Sequence, residues 1–191
     1  YVVGDQSRTV RILSRVTKDD FNSTTNELTI GEVGTLKTDG MALHPVTGVL
    51  YGVDTDMLNE RGTFGTISLT TGAFTAIGSG LGTANGSLGP QELYDASGFT
   101  FDPVTGFLFA THVRIGTTAA DLLYRVNTTT GAFVPDAFGP GQDYVTLPLL
   151  AAYPELNDID DIAIDPATGQ MYGILNNSTS GDRLIKINKL T

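Results

Sequence analysis

Apolar and polar residues alternate with period two along most of this chain. The alternation is broken at intervals by short turn phrases. Residues 40–54 read GMALHPVTGVLYGVD, residues 98–112 read GFTFDPVTGFLFATH, and residues 161–175 read DIAIDPATGQMYGIL. Each gives an apolar run, then Asp or His, Pro, any residue, Thr and Gly, then a second apolar run with an aromatic. A second phrase lies between these: ISLTTGAF at 67–74 and VNTTTGAF at 126–133, with INKLT at 187–191 beginning it a third time. Period-two alternation predicts half-buried strands, and the phrases predict hairpins. Proline presets φ for the first corner, and the carboxylate of Asp102 or Asp165 caps nearby N–H groups. Gly48, Gly106 or Gly169 then takes the positive φ that closes the turn, as Gly72 and Gly131 do in the second phrase. The small residues Gly52, Ala110 and Gly173, each after an aromatic, predict close backbone approach.

In order, strand A precedes the Pro turn, B follows it, C precedes the TTG turn and D follows that. Pro45, Pro103 and Pro166 set a period of about 60 residues. Four antiparallel strands per repeat make the blade of a β-propeller. The expected fold is therefore all-β, with tandem hairpins in a β-sandwich as the alternative. Residues 1–38 supply strands B, C and D, residues 39–80 and 96–138 each supply a full blade, and residues 160–191 supply A, B and C. That is about three and a half blades, expected as an excerpt of a propeller of roughly 6–8 blades. The remainder would come from the same longer chain or from a second copy. Helical periodicity is nearly absent; residues 148–156 (PLLAAYPEL) predict one short helix inside a loop.

The Asp-Pro-x-Thr-Gly and Leu-Tyr-x-Val-Asn-x-x-Thr-Gly-Ala-Phe phrases, carried at 102–108 and 122–133 and by their copies, resemble repeats of bacterial β-propellers. These are secreted and surface-attached proteins near the NHL, YVTN and quinoprotein-like groups. The resemblance implies a propeller that is secreted or held at the bacterial cell surface. The tryptophan docking motif of quinoproteins and the Asp-box of sialidase-like propellers are not matched, since the chain has no Trp.

Composition narrows the functional classes. The 191 residues are 40% hydrophobic and 17% charged, too apolar for a disordered chain. The net charge of −10, with 11 basic residues against 21 acidic ones, argues against nucleic-acid partners. No apolar run approaches the roughly 20 residues of a membrane helix, so no membrane insertion is expected. Absence of Cys excludes disulfides and thiolate chemistry.

In a propeller the B–C and D–A loops share one face and the tight A–B and C–D turns the other. Here the loops at 54–63, 78–97, 112–121, 139–160 and 175–183 are long and unlike one another, which is where binding is usually placed. Acidic residues concentrate there. Asp54 and Asp56, with Asn59 and Glu60, offer alternating oxygens; Asn157, Asp158, Asp160 and Asp161 offer another set. Asp39 and Ser97 hold the equivalent position in the other repeats. Calcium takes six to eight hard oxygen ligands, so Asp158, Asp160, Asp161, Asp54 and Asp56 are the candidate metal ligands. His44 replaces Asp in the first Pro turn and reads as a turn residue. His112 ends strand B on the loop face and reads as an exposed histidine or a base. No Gly-x-Ser-x-Gly nucleophile elbow occurs, so no catalytic residue is assigned. The leading expectation is an extracellular binding or adhesion module with a protein or glycan partner on the loop face. A calcium-assisted hydrolase or lyase at the channel mouth, and a structural spacer in a surface filament, are the alternatives.

Overall fold

The period-two runs become strands that pair in chain order, hairpin by hairpin. In the computed structural model, residues 2–7, 10–16, 27–35, 37–56, 61–114, 120–147, 158–176 and 181–190 are described. The first sheet holds β1 (Val2–Ser7), β2 (Val10–Val16) and β3 (Glu27–Glu32). The second holds β4 (Thr38–Leu43), β5 (Leu50–Asp56), β6 (Arg61–Ile67) and β7 (Phe74–Ala76). A two-stranded hairpin follows, β8 (Gly82–Ala84) and β9 (Gln91–Leu93). The third sheet is β10 (Phe99–Phe101), β11 (Leu108–His112), β12 (Leu122–Val126) and β13 (Tyr144–Thr146). The fourth is β14 (Asp158–Ile164), β15 (Met171–Asn176) and β16 (Arg183–Ile187). All pairings are antiparallel between chain neighbours, and no helix occurs among the described residues. The chain is a partial β-propeller with strands B–C–D, A–D, A–D and A–B–C. The short helix expected at 148–156 lies outside the described residues.

The turns form for the reasons their residues imply. Asp102 Oδ1 accepts from the N–H of Val104 at 2.9 Å and of Thr105 at 3.3 Å, while Thr105 Oγ1 accepts from Phe107 N at 3.3 Å. His44 plays the aspartate's part: its Nδ1 accepts from Val46 N at 3.2 Å and Thr47 N at 3.3 Å. The second phrase repeats the device, with Asn127 Oδ1 accepting from Thr129 N at 2.9 Å and Thr130 N at 3.1 Å. Gly106 and Gly131 close these turns at φ 72° and 75°, where an L side chain is strained. The predicted crowding at Gly52 and Gly173 is present, but side chains cause it: a Cβ there would lie 2.9 Å from Cδ1 of Ile67 and of Ile187 respectively.

Neighbouring sheets stack through three apolar clusters. Leu13 and Val33 meet Leu50 and Ile67 between the first and second sheets. Val53 and Phe64 meet Phe99 and Tyr124 between the second and third. Phe109 and Leu123 meet Ile162 and Met171 between the third and fourth. Backbone bonds repeat across the first two boundaries: Phe74 N donates to Val33 O and Phe133 N to Leu81 O, both at 3.0 Å. The inner strands β4, β10 and β14 lie side by side, and Leu43, Pro45, Phe101, Pro103, Ile164 and Pro166 help line a cavity of about 300 Å³ at their turn end.

Two features depart from the sequence pattern. The fourth strand of the third blade does not lie within 133–138. Phe133 makes a single bridge to Val126 and Val134 N donates to Arg125 O at 2.8 Å, the chain then leaves the sheet, and pairing resumes at β13 with Tyr144 opposite Tyr124. Asp143 holds this excursion, its carboxylate accepting from Asp136 N at 2.8 Å and Asn85 N at 2.7 Å. The D–A segment at 78–97 is also more than a solvent-facing loop. It carries β8 and β9 and buries Leu81, Ala84, Leu93 and Ala96 against the second and third blades, because its apolar residues match the wedge between those sheets.

Candidate functional site

Strands B end, and strands A and C begin, on the face opposite the tight turns. Among the described residues that end carries Asp54, Asp95, Asp121, Asp158, Asp160 and Asp182 at strand ends or just beside them. Several are fixed by backbone donors. Asp54 Oδ1 accepts from Lys37 N at 3.1 Å, tying the exit of β5 to the entry of β4. Asp121 is 1% exposed; its Oδ2 accepts from Ile159 N at 2.7 Å and its Oδ1 from Arg114 N at 3.4 Å. One carboxylate thus joins the B–C loop of the third blade to the inner strand of the fourth. Asp95 accepts from Ser97 Oγ at 2.8 Å and Thr55 Oγ1 at 3.5 Å, and its carbonyl accepts from the buried Tyr124 hydroxyl at 2.8 Å.

His112 is corrected by the structure. It is 3% exposed, where an exposed position or a surface base had been expected. Tyr94, from the ordered D–A segment, packs edge-on against its ring at 4.5 Å, and the imidazole hydrogen-bonds toward the Asp95 carbonyl. Its Nδ1 has no partner among the described residues. Burial, with the charge of Arg114 adding to it, lowers its pKa to about 4, so it is neutral at physiological pH. Asp121 moves the other way, to about 7, because burial and the charges of Asp158 and Asp95 outweigh its backbone donors.

Of the candidate metal ligands, Asp158, Asp160 and Asp161 lie on β14, with Asp160 at a register shift between Ile159 and Asp161. All three carboxyls are raised, first by burial and then by their acidic neighbours: Asp160 and Asp95 for Asp158, Asp182 for Asp160, and Asp160 for Asp161. Ile162 N donates to Asp161 Oδ1 at 2.8 Å. Asp54 stands on β5 with the Lys37 bond already described; Asp56 ends β5, and its side chain, like Asn59, Glu60 and Asn157, lies outside the described residues. Among the described residues no three His, Asp or Glu side chains converge in a way that could hold a metal ion.

Asp95 and Asp121 were not singled out in the sequence. Both border apolar strands, Asp121 directly before LLYRV and Asp95 just ahead of β10. A carboxylate abutting a buried run must find donors, and that is the signal they carried.

No protein-family model and no curated protein matches this chain. Solved structures do. A chain of a nidogen–laminin complex is 16% identical with a TM-score of 0.51, covering 95% of this chain and 60% of its own length. Hydrazine synthase of Kuenenia stuttgartiensis is 14% identical with a TM-score of 0.50, covering 95% of this chain and 41% of its own length. This chain therefore spans less than two thirds of either, and the likeness concerns the fold.

Proposed function

We propose that this propeller is a binding module of the bacterial cell surface or of a secreted protein, and that its partner docks on the loop end. The observation that carries this reading is the contrast between the two ends. The turn end closes in short, self-capped hairpins, whereas the loop end presents a row of carboxylates at or beside the strand termini. Such a surface favours a partner with a basic protein patch, and a neutral glycan over an acidic one. The buried members, Asp95 and Asp121, brace the end, while the outer ones, Asp160 and Asp182, are exposed to a partner. Arrays of proteins and glycans probed with this chain test the reading. Hits should vanish with Asp160→Lys combined with Asp182→Lys and survive Val46→Ser combined with Val104→Ser on the turn end. The reverse pattern would refute it.

A further inference from the structure

His112 ends β11 in a site that suits only one of its protonation states. The ring is 3% exposed and hydrogen-bonds toward the Asp95 carbonyl, while Nδ1 has no partner among the described residues. A neutral imidazole donates through one nitrogen and keeps a lone pair on the other, whereas the protonated ring carries N–H on both. Protonation here adds a buried donor with no acceptor among the described residues, and an unmet charged donor costs more than an unused neutral lone pair. The titratable groups around the ring are Tyr94 and Asp95 from the D–A segment, Arg114 beyond β11, Asp121 just before β12 and Tyr124 within it, with Asp158 acting on Asp121. Residues 115–119 carry no titratable side chain.

The cover over this ring is one short stretch of chain, residues 94–98, led by Tyr94 packed edge-on at 4.5 Å. Leu93 before it and Phe99 after it are buried in the core between the second and third blades. The stretch itself buries little apolar area there: Ala96 belongs to that cluster, Tyr94 does not, and Gly98 has no side chain. Polar bonds hold it instead. Asp95 accepts from Thr55 and Ser97, Gly98 N donates to Thr111 Oγ1 at 2.7 Å, and Thr111 N donates to Gly98 O at 2.9 Å. Polar bonds of this kind are exchanged for water at small net cost when a segment opens.

We propose that residues 94–98 form an acid-released latch over His112: a proton taken up from solvent at Nδ1 drives the stretch off the end of β11, pivoting between Leu93 and Phe99. Burial first, and then the charge of Arg114, hold the closed ring's pKa at about 4 against an ordinary 6.5. A released ring is charged below about 6.5 and a closed one only below about 4, so acid favours release across that interval. The latch makes the loop end change shape with acidity, whatever partner docks there.

Amide exchange of the 191-residue chain tests this. The reporters are the Gly98 and Thr111 amides, and the control is the Ile77 amide, which donates to Phe64 O at 2.8 Å in the second blade. Between about pH 6.5 and about pH 4 the protection factors of both reporters should fall at least about tenfold more than that of the control. His112→Phe should abolish this difference; it keeps a ring beneath Tyr94, and the Tyr124 hydroxyl still donates to the Asp95 carbonyl. Tyr94→Ala, which removes the cover, should move the titration midpoint of His112, followed by its ring protons, from about 4 toward 6.5. The proposal is overturned if the reporters fall by less than that, or no more than the control. It is also overturned if His112→Phe loses protection as the parent does, or if the midpoint stays in place in Tyr94→Ala.

Discussion

The Nζ of Lys189 lies 2.6 Å from Oδ2 of Asp102, joining the C–D turn of the fourth blade to the A–B turn of the third. Asp102 thus caps its own turn and anchors the neighbouring blade. Burial pushes its carboxyl up, but Lys189 and the N–H groups of Val104 and Thr105 together hold it below the usual value. A lowered carboxyl contributes stability that is present above the unfolded pKa and lost as pH falls below it. Asp102→Ala should cost about 2–3 kcal/mol in urea unfolding at pH 7. Lys189→Met should cost less, and Asp165→Ala, which removes only a turn cap, should cost less than Asp102→Ala.

Gly106→Ala and Gly131→Ala separate conformational strain from crowding. Both have positive φ, but a Cβ on Gly106 meets nothing within 4 Å, whereas one on Gly131 would lie 2.0 Å from Ile77 O. Gly106→Ala should cost about 1 kcal/mol. Gly131→Ala should cost at least about twice that, because the second blade must move. Denaturant midpoints of the two variants check the difference.

The turn chemistry was legible in the sequence because its donors and acceptors sit within five residues of one another. Asp102, Asn127 and even His44 act as their positions in the phrase imply. What was hidden depends on contacts between distant segments. The D strand of the third blade follows TTGAF in the sequence, yet after Val134 the chain leaves the sheet, Asp143 holds the excursion, and strand pairing resumes only at Tyr144. His112 looked exposed because the cover it receives from Tyr94 comes from a loop whose own packing no local pattern announces. Asp121 likewise finds Ile159 across 38 positions of chain.

The buried pair Asp121 and His112 should give opposite pH slopes. The folded pKa of Asp121, about 7, exceeds its ordinary 3.8, so its contribution is full below about 3.8 and is lost as pH rises through 7. The folded pKa of His112, about 4, lies below its ordinary 6.5, so its contribution is present above 6.5 and lost as pH falls toward 4. The two oppose one another between those values. Above about 6.5 the imidazole is mostly neutral in both states and Asp121 dominates the pair, so the melting temperature should decline from there to about pH 8. Asp121→Asn should flatten the decline, and His112→Phe should leave it.

Equivalent positions on successive blades should respond unequally. Phe64 and Leu123 are 0% exposed beneath the next blade, whereas Leu184, their counterpart, is 70% exposed. Leu123→Ala should cost about 2–5 kcal/mol, and Leu184→Ala should stay within about 0.5 kcal/mol. Chemical denaturation of both variants provides the comparison.

Calcium is tested by stability. If Asp158, Asp160 and Asp161 contribute to a site, millimolar calcium should raise the melting temperature above that in chelator, through binding to the native state alone. Asp160→Asn should then abolish the rise. An unchanged melting temperature would remove the calcium reading for β14.

Radial stacking of repeated blades is decided by interproton contacts between neighbouring blades, one at the inner turns and one at the outer strands. The rings of His44 and Phe101, on the second and third blades, have centroids 4.7 Å apart. Gly31 and Gly72, on the first and second, approach so closely that a Cβ on Gly72 would lie 2.5 Å from Gly31 O. Nuclear Overhauser effects are expected between the His44 and Phe101 ring protons and between the Gly31 and Gly72 α-protons in the folded chain. Absence of both, with contacts instead between the faces of non-consecutive sheets, would mean a sandwich of hairpins and would contradict the propeller.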